Sequence, residues 1–195
     1  MRKITEPLTI LDLELTGTEI ENENERIVSL GAIRLGDTPR QDVCREWFFN
    51  PEKPCSPESV KIHGLSDEFL SQQKTFKEQF FDISLFLGRG RIIHHCWYRS
   101  SDDKSVDERA LSAEFHRIAR PEIPHERWVN LKKMAQDLSP DANSLNDMLD
   151  RYGIDRKSRE KHHGALIDAQ LTAKLFRAYL EDKAVKKQIK SMHFT

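Results

Sequence analysis

Apolar residues open the chain at Leu8-Thr9-Ile10-Leu11, and Asp12-Leu13-Glu14-Leu15 continues in strict alternation. A short apolar run passing into period two predicts a buried strand. Thr16-Gly17-Thr18 ends it. Residues 26–35, with Ile27, Leu30, Ala32 and Ile33, predict a second strand, and residues 43–49 a third, with Asp37-Thr38-Pro39 as the turn between them. The three form an expected antiparallel meander, and Pro51, Pro54 and Pro57 then mark an irregular loop. From Ser66 the period becomes helical, at Phe69-Leu70 and over 76–87. Arg91-Ile92-Ile93-His94 predicts a short strand. Residues 107–118 predict a helix with Ala110, Leu111, Phe115 and Ile118 on one face. Residues 128–134 hold a strand end and a helix start, and 144–152 a helix stopped by Gly153. The last strong helix covers 165–179, with Leu166, Ala169, Ala173, Phe176 and Tyr179 spaced for burial. Strands first, then helices interleaved with a further strand, predict an α/β domain with a mixed sheet.

Composition narrows the class. A chain of 195 residues suits one domain with a sizeable core. We expect that domain over residues 1–182 and a short basic tail over 183–195, carrying Lys183, Lys186, Lys187, Lys190 and His193. The formal net charge of −1 lacks the basic footprint common in nucleic-acid binders. A carboxylate cluster that holds divalent cations is compatible with that balance, because the metals mask its charge. No apolar run approaches the ~18 residues needed to span a bilayer, so no membrane partner is expected. The start of the chain shows no secretory signal. Cys44, Cys55 and Cys96 are odd in number and lack CxxC spacing, which predicts reduced thiols in a cytoplasmic protein.

Two constellations carry chemistry. Asp12 and Glu14 lie two apart on a predicted strand, so both side chains share one face. Same-face acids in so apolar a strand are costly unless paired or bound to metal. Oxygen ligands of this kind suit a hard divalent cation; a solvated strand end is the plainer reading. His163-Gly164-Ala165-Leu166-Ile167-Asp168 is the second. With a helix starting near Gly164 or Ala165, Asp168 sits one turn in and His163 at the mouth. The plainer reading is a capping histidine beside a surface aspartate, and His162 is an alternative ring. Together the groups suggest phosphodiester hydrolysis, with carboxylates holding two cations and a histidine taking a proton from water at neutral pH.

These segments resemble a known family. Asp12-Leu13-Glu14-Leu15-Thr16-Gly17 resembles the first motif, DxETTG, of the DEDDh 3′→5′ exonucleases, with Leu15 for the first threonine. The run from Glu25 to Ile33 is similar to the strand that follows. The segment from Ile62 to Leu70, with His63-Gly64-Leu65, resembles the V-H-G-I segment of the proofreading (epsilon) branch. Asn143-Ser144-Leu145-Asn146-Asp147-Met148-Leu149 is similar to that branch's NSLDAL helix, and His163 to Ala169 to the HxALxDA motif. The resemblance runs from about Leu8 to Tyr179. The second motif departs from the family pattern HNAxFD. His94-His95-Cys96-Trp97-Tyr98 begins it, but Arg99 stands where the aspartate belongs. The run from Asp107 to Glu114 resembles the downstream DxxFLxxE helix, which implies an insertion of about eight residues and assigns Asp107, with Asp102 and Asp103 as competitors.

The resemblance implies a ribonuclease H-like fold, a mixed five-stranded sheet flanked by helices. It implies that Asp12, Glu14, Asp107 and Asp168 bind two Mg²⁺ or Mn²⁺ ions, with His163 as general base. Leu15, Thr16, His63 and Leu65 would contact the terminal nucleotide. His94 and His95 line the site or form a satisfied strand-end pair; Trp97 and Tyr98 stack on bases or belong to the core. The expected partner is the 3′ end of a single strand, DNA rather than RNA. A DNA polymerase or sliding clamp is a further partner by resemblance, the latter through residues 188–194. An RNA-trimming exonuclease and an inactive nucleic-acid-binding module are the competing readings.

Overall fold

The computed structural model describes residues 7–18, 24–97, 104–138, 144–160, 163–183 and 185, with the backbone alone for 135–138. Its strands are β1 (Leu8–Leu15), β2 (Ile27–Arg34), β3 (Val43–Phe48), β4 (Arg91–His94) and β5 (Trp128–Asn130). Its helices are α1 (Pro57–His63), α2 (Asp67–Ser71), α3 (Phe76–Leu87), α4 (Val106–Arg117), α5 (Leu131–Leu138), α6 (Leu145–Arg151) and α7 (Ala165–Glu181). The sheet runs β3-β2-β1-β4-β5. The meander β1-β2-β3 is antiparallel, and β4 and β5 join β1 in parallel, so the sheet is mixed as expected.

Alternation along β1 sorts the two layers. Leu8 and Ile10 enter a core with Ile33, Ile93, Val129 and the buried faces of α6 and α7. Leu11 and Leu13 enter the opposite core with Leu30, Trp47, Ile92, and side chains of α3 and α4. Asp12 and Glu14 continue the α7 face, so that face of the strand changes from apolar to acidic midway.

The helices start where the sequence supplies caps. Ser105 accepts from the Glu108 amide at 3.1 Å, and Ser144 from the Asp147 amide at 3.1 Å. Helix α1 occupies part of the Pro-rich stretch expected to be irregular. Ser56 caps it and Pro57 fills its first turn, where a missing N–H costs nothing. Buried Glu114 of α4 accepts from Arg26 Nε at 2.7 Å and pairs with Arg117 at 3.0 Å, which ties α4 to the start of β2. Val185, from the expected tail, is buried in the α7-side core. No helix among the described residues is long and apolar enough to cross a membrane.

Candidate active site

Three carboxylates meet at the C-terminal half of β1. Single oxygens of Asp12, Glu14 and Asp168 lie within 4.8 Å of one another. β1 supplies the first two by its alternation. The third arrives from the first turn of α7, where the helix dipole favours a negative charge.

Gly31 sets how closely α7 approaches. It sits opposite Asp12 in the β1–β2 ladder, and a Cβ there would lie under 3.0 Å from backbone atoms of Ala165 and Leu166. Only a residue without a side chain lets the helix rest on the strand at that point.

Asp107 stands just outside the three-oxygen group. It lies one residue into α4, is 4% exposed, and accepts from His94 Nδ1 at 3.1 Å. Its charge contributes to raising the pKa of both Asp12 and Glu14, so it borders the same site. His94 is buried, with its ring edge against Trp128. Asp102, Asp103, Tyr98, Arg99 and His162 lie outside the described residues.

Glu14 is pushed up to about 8, first by desolvation and then by Asp168. Asp12 is raised well above the usual carboxylate range, again first by burial and then by Asp168, Asp107 and Glu14. A fold that gathers acids so tightly creates a demand for positive charge. The donors are all carboxylate oxygens, a set suited to hard divalent cations such as Mg²⁺ and Mn²⁺.

His163 is partly exposed, with Nδ1 4.0 Å from Asp168 Oδ2, and its backbone N–H donates to the Ile62 carbonyl at 2.9 Å. Desolvation and then the nearby Arg159 lower its pKa, which favours the neutral ring. Arg159 itself escaped the sequence reading. It belongs to a charged run that looks solvated, and no periodicity links it to the motifs. Its Nε donates to Asp168 Oδ1 at 2.6 Å, its Nη1 to Asn146 Oδ1 at 2.7 Å, and its Nη2 to His163 Nδ1 at 3.2 Å.

The expected nucleotide contacts are distributed around this centre. Thr16 is 1% exposed, its hydroxyl donates to Glu25 and accepts from the Arg26 amide at 3.0 Å, and its carbonyl accepts from Ser56 N–H at 2.7 Å. That network anchors the end of β1 to α1. Leu15 is partly buried. His63 Nδ1 accepts from the Leu65 amide at 3.0 Å, which fixes the turn after α1. His95 is buried, and burial lowers its pKa to about 4. Trp97 is 53% exposed, with the Lys132 ammonium 2.6 Å from its ring centre. Cys44, Cys55 and Cys96 are free thiols.

The raised carboxylates predict a pH-dependent stability. Unfolded, Glu14 titrates near 4.5; folded, it keeps its proton to about 8. The folded chain therefore binds more protons in that window, and stability falls as pH rises through it. His95 acts in the opposite sense, losing stability as pH falls from 6.5 toward about 4. Between pH 6.5 and 8 the carboxylates set the slope. In EDTA the thermal midpoint should fall across that interval, and Mn²⁺ should flatten or reverse the trend because it binds the ionised acids. A midpoint that rises with pH in EDTA would contradict this picture of the site.

The exonuclease family model (RNase_T) matches residues 9–176. DNA polymerase III subunit epsilon of Rickettsia prowazekii is 32% identical over 171 residues, covering 86% of this chain and 71% of that protein. The same subunit of Escherichia coli is 27% identical over 177 residues, covering 87% and 69%. Among solved structures, the nuclease domain of 3′hExo, a DEDDh family member bound to rAMP, superposes with a TM-score of 0.71 at 17% identity, covering 91% of this chain and 92% of that one. Exonuclease X in complex with 5′ overhanging duplex DNA gives 0.62 at 20% identity, covering 91% and 93%. Those two likenesses establish the ribonuclease H-like fold, and the family match with the Rickettsia relative establishes kinship: the chain belongs to the exonuclease (RNase_T) family.

Proposed function

We propose that this enzyme removes nucleotides one at a time from the 3′ end of single-stranded DNA, with proofreading during replication or repair as its setting. The meeting of Asp12, Glu14 and Asp168 within 4.8 Å, with His163 beside Asp168, carries the reading. Asp12, Glu14, Asp168 and Asp107 would hold two Mg²⁺ or Mn²⁺ ions. Bound there, such ions supply Lewis-acid neutralisation of the scissile phosphate and favour ionisation of water.

The protein's own groups do the rest. His163, kept neutral by its surroundings, takes a proton from the attacking water at a ring nitrogen. The water oxygen joins phosphorus and the P–O3′ bond breaks. A nucleoside 5′-monophosphate leaves, and the strand keeps a new 3′-hydroxyl. His94 holds the Asp107 carboxylate in place. Leu15 and the turn at His63 to Leu65 border the terminal nucleotide, while Thr16 stabilises the backbone beneath it. Trp97 offers a half-exposed ring on which a base can stack, a contact tolerant of sequence.

The epsilon relatives are named as subunits of DNA polymerase III, which supports DNA over RNA and a DNA polymerase as partner; a sliding clamp as a further partner and a cytoplasmic setting belong to the same proposal. Residues 1–182 would form the catalytic domain. The basic tail over 183–195 would offer weak electrostatic contact with nucleic acid.

The test uses 3′- and 5′-labelled single strands of DNA and RNA with Mg²⁺, Mn²⁺ or EDTA. Expected is stepwise shortening from the 3′ end, metal-dependent and faster on DNA. Faster shortening of RNA would make the enzyme an RNA-trimming exonuclease. Binding without hydrolysis of any strand would leave only a nucleic-acid-binding module.

A further inference from the structure

Arg159 occupies an unusual place for a cation beside an expected metal site. Its side chain is 13% exposed, against 4% for its partner Asp168. Three of its nitrogen atoms each meet a different acceptor: Asp168 Oδ1 at 2.6 Å, Asn146 Oδ1 at 2.7 Å and His163 Nδ1 at 3.2 Å. A guanidinium is planar, permanently charged and donates only. His163 Nδ1 must therefore accept, and in the neutral ring the remaining proton sits on Nε2. Neither ring nitrogen then has a free lone pair, so the base is silent in this arrangement. Asp168 has one oxygen engaged in a charge-assisted hydrogen bond. Arg159 also supplies the positive charge that opposes the rise in Asp12 and Glu14. Asn146, on α6, gives the guanidinium a fixed dock rather than a chance contact.

We propose that Arg159 is the resident counter-cation of the metal-free carboxylate cage, and that a divalent ion entering the cage displaces it, freeing Asp168 and His163 together. The inference rests on the metal-binding reading given above for Asp12, Glu14 and Asp168. Two cations sharing one buried carboxylate repel each other, while either alone is stabilised by it. Metal entry and release of the base thereby become one event. Without metal, the same arginine keeps four clustered acids from repelling one another.

The experiment is Mn²⁺ titration calorimetry on the full chain, with thermal unfolding in EDTA, for wild type, Arg159→Gln and Arg159→Lys. Removing the competing charge should tighten Mn²⁺ binding about tenfold in Arg159→Gln, within the usual range of coupling between two sites. The same variant should unfold at lower temperature in EDTA, where the acids lose their counter-charge. Arg159→Lys keeps the charge and should bind Mn²⁺ within about threefold of wild type. If Arg159→Gln does not fold in EDTA, the lysine variant decides: a tenfold weaker Mn²⁺ affinity there would mean that Arg159 orients Asp168 for the metal, which overturns displacement. Equal or weaker binding by a folded Arg159→Gln overturns it as well. Nitrogen-15 spectra of the histidines give a second readout. His163 should shift when Mg²⁺ is added to wild type, and in Arg159→Gln it should already be shifted in EDTA. An unshifted His163 in that variant overturns the release of the base. A wild type that binds no Mn²⁺ at all would instead remove the metal-cage reading and leave the arginine's contacts as a plain ion pair.

Discussion

Replacing His163 with alanine is expected to lower kcat by about 10²–10⁴-fold, the usual contribution of a positioned general base. Mn²⁺ affinity should stay near wild type, because His163 lies beside the carboxylate group rather than within it. Asp12→Ala and Asp168→Ala make the contrast, since each removes a member of the three-oxygen group. They should lose activity and Mn²⁺ binding together. Rate against pH gives a second check. A base must be neutral to act, so wild-type activity should fall on the acid side, and that limb should vanish from the residual rate of His163→Ala. Burial, the largest cause, lowers the His163 pKa and favours the neutral ring. A His163→Ala enzyme within tenfold of wild type would exclude His163 from the proton transfer.

Gly31→Ala should damage stability and catalysis by one cause. The added methyl meets backbone atoms of Ala165 and Leu166, which cannot rotate away as a side chain can. Overpacking of this kind costs about 1–3 kcal/mol. Relief requires α7 to move off β2 at its first turn, the turn that carries Asp168 and follows His163. A displacement on the order of 1 Å in a catalytic group can cost about 10²-fold in rate. Urea unfolding would read the first effect and kcat at saturating Mn²⁺ the second. Gly164→Ala is the control, because a Cβ there meets only the flexible end of Ile167 at 3.6 Å. Wild-type stability and rate in Gly31→Ala would show that α7 does not depend on this contact for its position.

The pattern of the chain alone determined much of this protein. Period two through Leu8 to Leu15 fixed both the strand and the shared face of Asp12 and Glu14, because side-chain direction along a strand is a local property. Helical spacing from Ala165 placed Asp168 in a first turn for the same reason. Helix α4 was legible from Ala110, Leu111 and Phe115, and with it the position of Asp107 near a helix start. Local pattern was silent on α1, where three prolines look like a loop although Ser56 and Pro57 begin a helix.

Tertiary structure alone decided what these elements do together. The strand order β3-β2-β1-β4-β5 puts β1 at the centre, so residues from β1, α4 and α7 converge although they are distant in the chain. Gly31 reads as an ordinary strand glycine until α7 is seen resting on it. His94 reads as a site-lining or strand-end residue until the start of α4 brings Asp107 within 3.1 Å. Arg159 and Asn146 belong to no shared period, and only the packing of α6 and of the 157–159 turn against α7 brings the arginine to both Asn146 and Asp168. Periodicity encodes the direction of a side chain relative to its own element. Which elements face one another is set by burial and backbone pairing across the whole fold, and the charge balance of the site follows from that.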